Sequence, residues 1–455
     1  MRFFLFHNDL RLNDNTTLIK MLKDVQEPII PIFIFTEQQI NPKKNKFYGS
    51  NSVQFMCESL ISLNKDIKDY GGELYMIKTK DTITALNKIY KITKITELGW
   101  NPNYSPFALK RDKLVKKWCE KKDIKFYEEE DHGLHNIFDN SMLKKDGTPF
   151  KVFTPFRNYC YHNLEVRQIN KFKDFKFKKI SSLKEISFNK FNLIYEENKS
   201  LLVRGGRDNG LERLKLLKNQ KEYSKKRDLL TYNTTFLGSY LSFGVLSIRE
   251  VFWKVREVLG KHTGLESELY WREFYMMIMY HFPRVINGHF KEQWDGIKYK
   301  NNPKYTKAIM SGKTGIPIID AGLKQLYTTG FSHNRLRMVI TSFMAKHCQL
   351  DPRWIEKWWA NHLVDYNIGS TNGGVAWTAG YGTDSMIAQR IFAYWTQSLK
   401  FDPKAEFIKH WLPEYKDIEP KHIHNWEEYH TFNKPIFLHK ERREEYIKFL
   451  KKNKL

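Results

Sequence analysis

Residues 332–347, SHNRLRMVITSFMAKH, and the glycine-rich segment DYNIGSTNGGVAWTAGYGTD at 365–384 are the stretches around which the chain is organised. Asn334 and Met338 are four residues apart, so on a helix they share one face. A polar amide beside a polarisable thioether suits a flat, partly apolar ligand with one hydrogen-bonding edge, such as a base or a flavin ring. Taken alone, the same pattern is more typical of an amphipathic core helix.

The composition bounds the class of protein. The 455 residues are 41% hydrophobic and 15% aromatic, which is sufficient for two or three domains and for a core that encloses a cofactor. A formal net charge of +25 favours a polyanionic partner, most simply nucleic acid, because phosphates attract lysine and arginine. A lysine-biased genome would produce part of this excess, so charge supports nucleic acid only modestly.

Redox compartment and membrane association are read from the cysteines and the apolar runs. The four cysteines (Cys57, Cys119, Cys160 and Cys348) show no metal-ligand spacing, which is typical of free thiols in a reducing compartment. The N-terminal residues MRFFLFHNDLRL become charged too early for a signal peptide, and no apolar run is long enough to cross a membrane. These features predict an intracellular protein that is not secreted, has no metal site and does not bind a membrane.

The first part of the chain alternates short apolar runs with helical periods. The predicted strands are residues 2–7, 29–36, 73–78, 94–100 and 124–128, and the predicted helices are 51–69, 81–91 and 106–121. Such alternation predicts an α/β domain with a doubly wound parallel sheet. The pattern G-x-G-x-x-G is missing, so the sequence does not indicate a dinucleotide site of the Rossmann type.

Helical periodicity dominates the second part of the chain. The predicted helices are residues 208–218, 246–258, 265–281, 318–328, 333–347 and 354–364. Periodicity is weaker from about 131 to 200, where FTPFRNYC predicts a short helix and a lysine-rich segment predicts a connector. The fold class is therefore α/β followed by an all-helical domain.

Several long segments, in the same order along the chain, resemble the DNA photolyase/cryptochrome family. They are FLFHNDLRLNDNTTL (4–18), WREFY (271–275), GKTGIPIIDAGLKQLYTTGFSHNRLRM (312–338), NGG-x-x-W (372–377) and IHNWEEYHTFNKPIFLHKERREEY (423–446). Ordered matches over nearly the whole chain are more specific than any single short motif. The resemblance implies an N-terminal antenna domain (1–130), a connector (131–200) and a helical domain that binds FAD and a DNA lesion (201–455).

The segment TYNTTFLGSYLSFGVLS (231–247) resembles the loop that opens the family's flavin cradle. Its threonines supply hydroxyls, and a loop leading into a helix offers free backbone N–H groups to a diphosphate, although an ordinary helix cap looks the same. Arg337 and Asp365 resemble a charge pair that lies against the flavin. The cofactor residues implied by the resemblance are Tyr223, Thr234, Thr235, Phe236, Leu237, Gly238, Arg272, Arg337, Asp365, Tyr366, Asn367 and Thr371.

A second group of residues resembles the family's pocket for a flipped pyrimidine dimer. Glu268, Trp271 and Tyr275 fall on one helical stripe, where a carboxylate bonds a pyrimidine edge and an indole stacks on its face, although a lone tryptophan is usually a core residue. The resemblance assigns Glu268, Trp271, Asn334, Met338 and Trp377 to the lesion, and Arg335 and Gln397 to its DNA strand. His333–Asn334 replaces the His-His pair of relatives that act on (6-4) photoproducts, which favours cyclobutane dimers.

The family's electron-transferring tryptophans are altered in this sequence. Val375, Pro352 and Tyr299 stand at the three positions, and Thr371 replaces an asparagine near the reactive flavin nitrogen. These changes call photoreduction of oxidised flavin into question but not repair by flavin that is already reduced. Trp354, Trp358, Trp359 and Tyr299 are candidates for a substitute path.

The resemblance favours a light-driven photolyase, most like class I, that splits cyclobutane pyrimidine dimers in UV-damaged DNA with reduced FAD. A second, antenna chromophore of the folate or deazaflavin type is expected in many relatives, and nothing in this sequence identifies it. One alternative is a cryptochrome-like photoreceptor without repair activity. Another is a flavin-bearing protein that binds DNA without catalysis. No protein partner is indicated, and a monomer is the default expectation.

Overall fold

Five buried strands form one parallel sheet in the N-terminal part of the computed structural model, which describes residues 1–385, 388–429 and 433–455. The strands are β1 Arg2–Phe6, β2 Ile29–Thr36, β3 Tyr75–Thr79, β4 Glu97–Trp100 and β5 Lys125–Glu128. Their order is β3-β2-β1-β4-β5, with Arg2 opposite both Ile29 and Glu97. The strand order reverses at β1, as in doubly wound folds, so the predicted fold class of this part is confirmed.

Helices connect these strands and cover both faces of the sheet. They are α1 Thr16–Asp24, α2 Glu37–Ile40, α3 Ser50–Asp69, α4 Thr82–Ile92 and α5 Pro106–Lys121. The sequence predicted α3, α4 and α5 to within one residue, but not α1. Asn15 caps α1 by accepting a hydrogen bond from the backbone N–H of Leu18. A Cβ added to Gly99 of β4 would lie 2.2 Å from Met21 Sδ, so close packing on the sheet holds this short helix in place.

The segment between the sheet and the helical part returns along the edge of the sheet. α6 Phe153–Asn163 is the short helix that FTPFRNYC predicted, and it packs against a helix of the second half. Beyond it, Phe177 bridges to Ile29 of β2, and the N–H of Phe188 donates to the carbonyl oxygen of Met76. The segment therefore contacts both strands at this edge. The domain boundaries at 130 and 200 stay a prediction.

Helices build the rest of the described chain. They are α7 Arg207–Lys215, α8 Tyr223–Lys226, α9 Gly238–Ser242, α10 Ile248–Leu259, α11 Gly264–His281, α12 Pro303–Met310, α13 Pro317–Thr329, α14 Asn334–Ser342, α15 Pro352–His362, α16 Ile368–Ala379, α17 Tyr394–Phe401, α18 Glu406–Trp411, α19 Pro420–His424, α20 Trp426–Tyr429 and α21 His439–Lys452. The predicted all-helical domain is therefore confirmed. In this described part, no helix is long and apolar enough to span a membrane.

Two helices near the centre differ from the prediction. The helix expected at 333–347 is α14 followed by a π-helical segment, Phe343–His347, in which the N–H of Cys348 donates to the carbonyl oxygen of Phe343. α16 was not predicted, because its glycines interrupt any apolar period. A Cβ added to Gly373 would lie 2.1 Å from the Tyr275 ring, so α16 packs closely on α11 only because that residue is glycine.

A buried network of ions joins the two halves. Arg249, at the start of α10, donates to the carboxylates of Asp14 at 2.8 Å and Asp131 at 2.9 Å, and Arg11 reaches Asp131 at 2.6 Å. The side chains of Arg249 and Asp131 are 1% and 0% exposed. Gly244, with φ +60°, passes so close to Asn8 that a Cβ would lie 2.1 Å from its carbonyl oxygen. The helical half is thus fixed beside the strand ends.

Candidate functional site

Most of the predicted site residues line one cavity of about 350 Å³ in the helical half, here called the main cavity. Three segments that are far apart in sequence form its walls: the loop before α9, one face of α11, and the stretch from α14 to α16. The predicted residues that line it are Tyr223, Thr234, Thr235, Phe236, Leu237, Gly238, Glu268, Arg272, Asn334, Arg337, Met338, Asp365, Asn367 and Thr371. The fold therefore brings the implied cofactor residues together with three of the implied lesion residues.

Arg337 and Asp365 form an ion pair in the wall of the main cavity. One guanidinium nitrogen of Arg337 donates to both Asp365 oxygens, at 3.0 and 2.9 Å, and Nε donates to the carbonyl oxygen of Ser332. Gly238 faces this carboxylate so closely that a Cβ would lie 2.8 Å from Asp365 Oδ2. The loop before α9 therefore meets the charge pair, as expected for a cradle around a charged ring system.

One polar atom in the wall of the main cavity has no partner. Ser332 is 0% exposed, and its Oγ makes no hydrogen bond within the described chain although the residue lines the cavity. A buried hydroxyl without a partner is costly unless a ligand satisfies it. Ser332, the threonine hydroxyls of the loop and the Arg337–Asp365 pair fit a flavin nucleotide. The sequence analysis did not select Ser332, because a lone serine before a helix gives no signal.

Glu268 faces the main cavity from α11 and forms an ion pair with Arg227. Desolvation raises the pKa of this carboxyl above its ordinary value, and the cationic Arg227 opposes that rise. On the neighbouring wall, Asn334 Nδ2 lies 4.0 Å from Met338 Sδ, so the amide and thioether share a face as predicted. A carboxyl group and an amide edge beside apolar atoms provide the donors and acceptors that a pyrimidine needs.

Trp271 and Trp377 do not line the main cavity. Trp271 lies in an adjoining open cleft of about 580 Å³ that shares Glu268 with it. The ring of Phe153 stacks on Trp271 with centroids 3.6 Å apart, which covers one indole face. Trp377 is half-buried on α16 and packs against a hydrophobic core within the helical half. Their contact with a lesion stays a prediction. Phe153 was not selected from the sequence.

Two residues predicted to touch the DNA strand lie on neighbouring helices. Arg335 pairs with Asp228 at 2.8 Å, and its guanidinium lies 4.3 Å from the centroid of the Phe401 ring. Gln397 is half-buried on α17, the helix that carries Phe401. Their DNA contacts stay a prediction.

His333 is held neutral at the N-terminus of α14. Its Nδ1 accepts a hydrogen bond from the N–H of Arg335, and burial lowers its pKa to about 4. The imidazole is therefore a helix cap and not a proton donor near neutral pH.

A second cavity, of about 500 Å³, opens at the carboxyl ends of the strands. Polar residues that follow β1, β4 and β5 line it, among them His7, Arg111 and His132. The predicted cofactor residue Tyr366 lies here and not in the main cavity, while Arg272 and Asn367 line both. Arg272 donates to the carbonyl oxygen of His132 at 2.7 Å, so one side chain bridges the two cavities.

Two buried carboxyl groups lie beside this bridge. A Cβ added to Gly133 would lie 3.1 Å from Glu273 Oε2 and 3.2 Å from Glu130 Oε1, so the two acids flank the same glycine. Burial raises the pKa of each to about 7. Near neutral pH these carboxyl groups therefore change protonation where the two halves meet.

We expect wild-type stability to fall relative to a Glu273→Gln variant as pH rises. The folded pKa of about 7 exceeds the ordinary value of 4.5, so the folded state binds more protons between these values. The contribution is complete below about 4.5 and is lost as pH rises through about 7. Urea unfolding of both proteins across this range measures the difference. Parallel pH profiles of the two proteins would contradict the assignment.

The three altered electron-transfer positions differ in where they lie relative to the main cavity. Val375 lines the main cavity, and Pro352 is the first residue of α15, where proline is favoured because no helical bond to its nitrogen is needed. Tyr299 lies away from the cavity lining, and its hydroxyl is 3.1 Å from His289 Nε2. Of the candidate substitutes, Trp359 lines the main cavity, Trp358 contacts Trp359, and Trp354 is half-buried.

The chain matches known proteins along most of its length. Residues 3–173 match the family model "DNA photolyase", and residues 265–452 match "FAD binding domain of DNA photolyase". A deoxyribodipyrimidine photo-lyase of Buchnera aphidicola subsp. Baizongia pistaciae is 30% identical over 92% of this chain and 90% of its own. Part of the main-cavity lining, including Glu268, Arg337 and Asp365, falls within the second of these family-model matches.

Solved structures agree in fold. The archaeal photolyase of Sulfolobus tokodaii, which holds two FAD molecules, is 32% identical and superposes with a TM-score of 0.86 over 99% of both chains. A Synechocystis cryptochrome with 20% identity and a TM-score of 0.89 over 99% of both chains shares the fold. The sequence matches, the full-length superposition and the lined flavin cavity agree: this chain belongs to the DNA photolyase family.

Proposed function

We propose that this protein is a deoxyribodipyrimidine photo-lyase that repairs cyclobutane pyrimidine dimers in light. The observation that carries the proposal is the joint lining of one cavity by the Arg337–Asp365 pair and by Glu268, Asn334 and Met338. Cofactor residues and lesion residues in a single cavity put the electron donor beside its substrate, as repair by electron transfer requires. The net charge of +25 favours association with DNA phosphates.

Bound FAD in its reduced form supplies the light-driven chemistry, donating one electron to the dimer and taking it back after the ring opens. The protein residues bind and orient. Arg337 would offset negative charge at the cofactor, Asp365 would accept a hydrogen bond from it, and Ser332 Oγ would contact it. No protein nucleophile is needed, because the bonds that break lie within the dimer.

The lesion enters the main cavity as a flipped dinucleotide, and extrusion is cheaper at a damaged site. In the present structure Arg227 holds the Glu268 carboxylate. A dimer edge that bonds to Glu268 therefore has to share or displace Arg227. Asn334 offers an amide from the neighbouring wall, and Met338 offers apolar surface.

The test uses dithionite-reduced protein and a thymine-dimer oligonucleotide under blue light, with a dark control. Light-dependent loss of the dimer supports the proposal. Binding of the damaged DNA without light-dependent loss would overturn it and favour the photoreceptor alternative. If light changes neither the binding of damaged DNA nor the protein itself, the result would favour a protein that binds DNA without catalysis.

A Glu268→Leu variant is expected to repair about 10- to 100-fold more slowly at subsaturating DNA, because a hydrogen bond to a charged group contributes about 1.5–3 kcal/mol. The rate of dimer loss measures the effect. Glu257→Leu is the matched control, since Glu257 is 65% exposed and pairs with Lys254 on the protein surface. Equal rates for the two variants would exclude Glu268 from the lesion site.

We further propose that the second cavity holds an antenna chromophore. Its aromatic and cationic lining, including Tyr104, Phe107 and Arg111, suits a flat anionic pigment. Arg272 and Asn367 form a wall common to both cavities, so a pigment bound there would lie close to the flavin. The pigment is released by denaturing purified protein, and its absorbance and mass identify it as folate, deazaflavin or flavin.

We also propose that the protein acts as a monomer, within the compartment that holds DNA.

A further inference from the structure

A buried tryptophan, Trp359 of α15, forms part of the main-cavity wall. Trp359 is 1% exposed and lines the cavity, and its indole N–H donates to Thr341 Oγ1 at 3.0 Å. Thr341 lines the cavity as well. An indole ring fixed by a hydrogen bond in the wall of a flavin site is placed to exchange electrons with the ligand. Val375, which also lines the cavity, has no ring and cannot do so.

A continuous run of rings leads from Trp359 towards the protein surface. Trp358 and Trp359 have centroids 4.7 Å apart, and Trp358 lies 6.2 Å from Tyr327 and 5.1 Å from His362. Tyr327 and His362 are 4.9 Å apart, and both are only partly buried. The run therefore begins at the cavity, passes through a fully buried ring and ends at rings that solvent reaches.

The geometry of α15 explains how two consecutive residues serve this run. Neighbours on a helix point about 100° apart, so Trp359 turns towards the cavity while Trp358 turns towards α13, which carries Tyr327. The two indoles still meet edge to face, with an interplanar angle of 66°. Among the described ring contacts, none joins Trp354 of the same helix to this run.

We propose that Trp359, Trp358 and Tyr327 conduct electrons, one at a time, from an external thiol to oxidised flavin excited by light in the main cavity. The inference rests on the FAD site of the proposed function. It assigns an entry route for the electrons that prepare the reduced cofactor. Tyr327 is the terminal donor, because it is the phenol of the run, is partly exposed and has a hydroxyl that donates to the Ile309 carbonyl oxygen at 2.7 Å.

Electrons and protons balance along this route. Trp359 gives one electron to the flavin, Trp358 refills Trp359, and Tyr327 refills Trp358. The phenolic proton of Tyr327, which is hydrogen-bonded to the Ile309 carbonyl oxygen, is released to solvent, and solvent supplies the proton that the reduced flavin takes up. The thiol returns a hydrogen atom to Tyr327, and two thiyl radicals combine to a disulfide. Two rounds supply the two electrons that full reduction requires, and no protein bond is made or broken.

A competing run of rings begins at Tyr381, just after the end of α16. Tyr381 is 4.6 Å from His289, whose ring is hydrogen-bonded to the Tyr299 hydroxyl and, at 3.0 Å, to Asp295. This run offers Tyr299 a proton acceptor. However, Tyr381 is not among the described residues that line the main cavity, whereas Trp359 is. The wall contact favours the route through Trp359.

The experiment uses the FAD-loaded, oxidised protein, with laser-flash absorption and steady blue-light reduction in the presence of a thiol. Wild type is expected to show a tryptophan radical followed by a tyrosine radical. Trp359→Phe and Trp358→Phe are expected to slow photoreduction by about tenfold or more. Tyr327→Phe is expected to keep the tryptophan radical, lose the tyrosine radical and slow steady photoreduction.

Trp253→Phe is the matched control, because Trp253 is a half-buried tryptophan on α10 whose ring packs on Phe252. It is expected to match wild type. Flavin absorbance of each variant reports whether the cofactor is retained. Variants that retain flavin and photoreduce at the wild-type rate would overturn the proposal. Loss of photoreduction in Tyr381→Phe or Tyr299→Phe, with Trp358→Phe unaffected, would overturn it in favour of the competing run.

Wild-type protein that shows no protein radical after the flash would also overturn the proposed route. Repair by dithionite-reduced wild type tests the proposed function separately, because chemical reduction bypasses the rings. Repair without photoreduction therefore contradicts the route alone, and photoreduction without repair contradicts the proposed function alone.

Discussion

An Arg249→Leu variant is expected to lose about 3–5 kcal/mol of unfolding free energy, the usual cost of removing one partner from a buried ion pair. Arg249 donates to Asp14 and Asp131, and also to the carbonyl oxygen of Asp131 at 3.0 Å. The leucine would leave two acids with one arginine, Arg11, in a region that solvent does not reach. Urea unfolding followed by tryptophan fluorescence measures the loss.

Arg353→Leu is the control for that variant. Arg353 also bonds a carboxylate through two nitrogens, reaching Asp351 at 2.7 Å, but its side chain is 43% exposed. An exposed pair contributes under about 1 kcal/mol, so this variant should unfold close to wild type. Adding Asp14→Asn to Arg249→Leu should recover part of the loss, because it removes an uncompensated charge. Equal losses for the two arginine variants would contradict the role of burial.

The buried ion network around Arg249 also shows which contacts could not be predicted from the sequence. The strands were predictable because residues such as those of 29–36 form short, wholly apolar runs between polar turns. The spacing of Asp14, Asp131 and Arg249 does not indicate that their side chains are in contact. Asp14 and Asp131 are 117 residues apart, and Asp131 and Arg249 are 118 residues apart. The meeting depends on how the helical half packs on the strand ends, which is a property of the tertiary fold.

The candidate site likewise has a part that could be predicted from the sequence and a part that could not. The types of residue that line the main cavity were predictable through the family resemblance, including the separate contributions of 234–238, 268–272 and 334–371. The partners of those residues were not predictable, because Arg227 on Glu268 and Phe153 on Trp271 are contacts across the fold. The i, i+4 spacing of Tyr223 and Arg227, and the cation–ring contact between them, was the one local signal that could have drawn attention to Arg227.

α16 was missed for a related physical reason. Helix propensity counts against its glycines, and a sequence pattern cannot show that a neighbouring ring requires them. Gly373 costs helix stability locally but allows Tyr275 of α11 to approach. That close contact positions Thr371 and Val375 in the cavity wall. Tertiary packing overrides local propensity at the very place where the cofactor site is built.

Asp365→Asn is expected to weaken FAD binding by about 10- to 100-fold, since hydrogen bonds to a charged group contribute about 1.5–3 kcal/mol. The carboxylate already accepts two bonds from Arg337, and in the proposed function it would accept another from the cofactor. An amide offers one acceptor oxygen in place of two, and its NH₂ group would point at a guanidinium or at a ring N–H. It would also leave the Arg337 cation without a counter-charge beside the cofactor.

FAD titration of the apoprotein, followed by flavin fluorescence, measures this effect. Glu250→Gln is the matched control, because Glu250 also bonds an arginine through both oxygens, at 2.8 and 3.2 Å from Arg207, and its side chain is 18% exposed against 15% for Asp365. Glu250 lines neither cavity. The control should bind FAD as wild type does, because it loses a comparable ion pair without touching the ligand. Equal weakening in the two variants would mean that Asp365 acts only through stability, and unchanged affinity in Asp365→Asn would remove it from the flavin site.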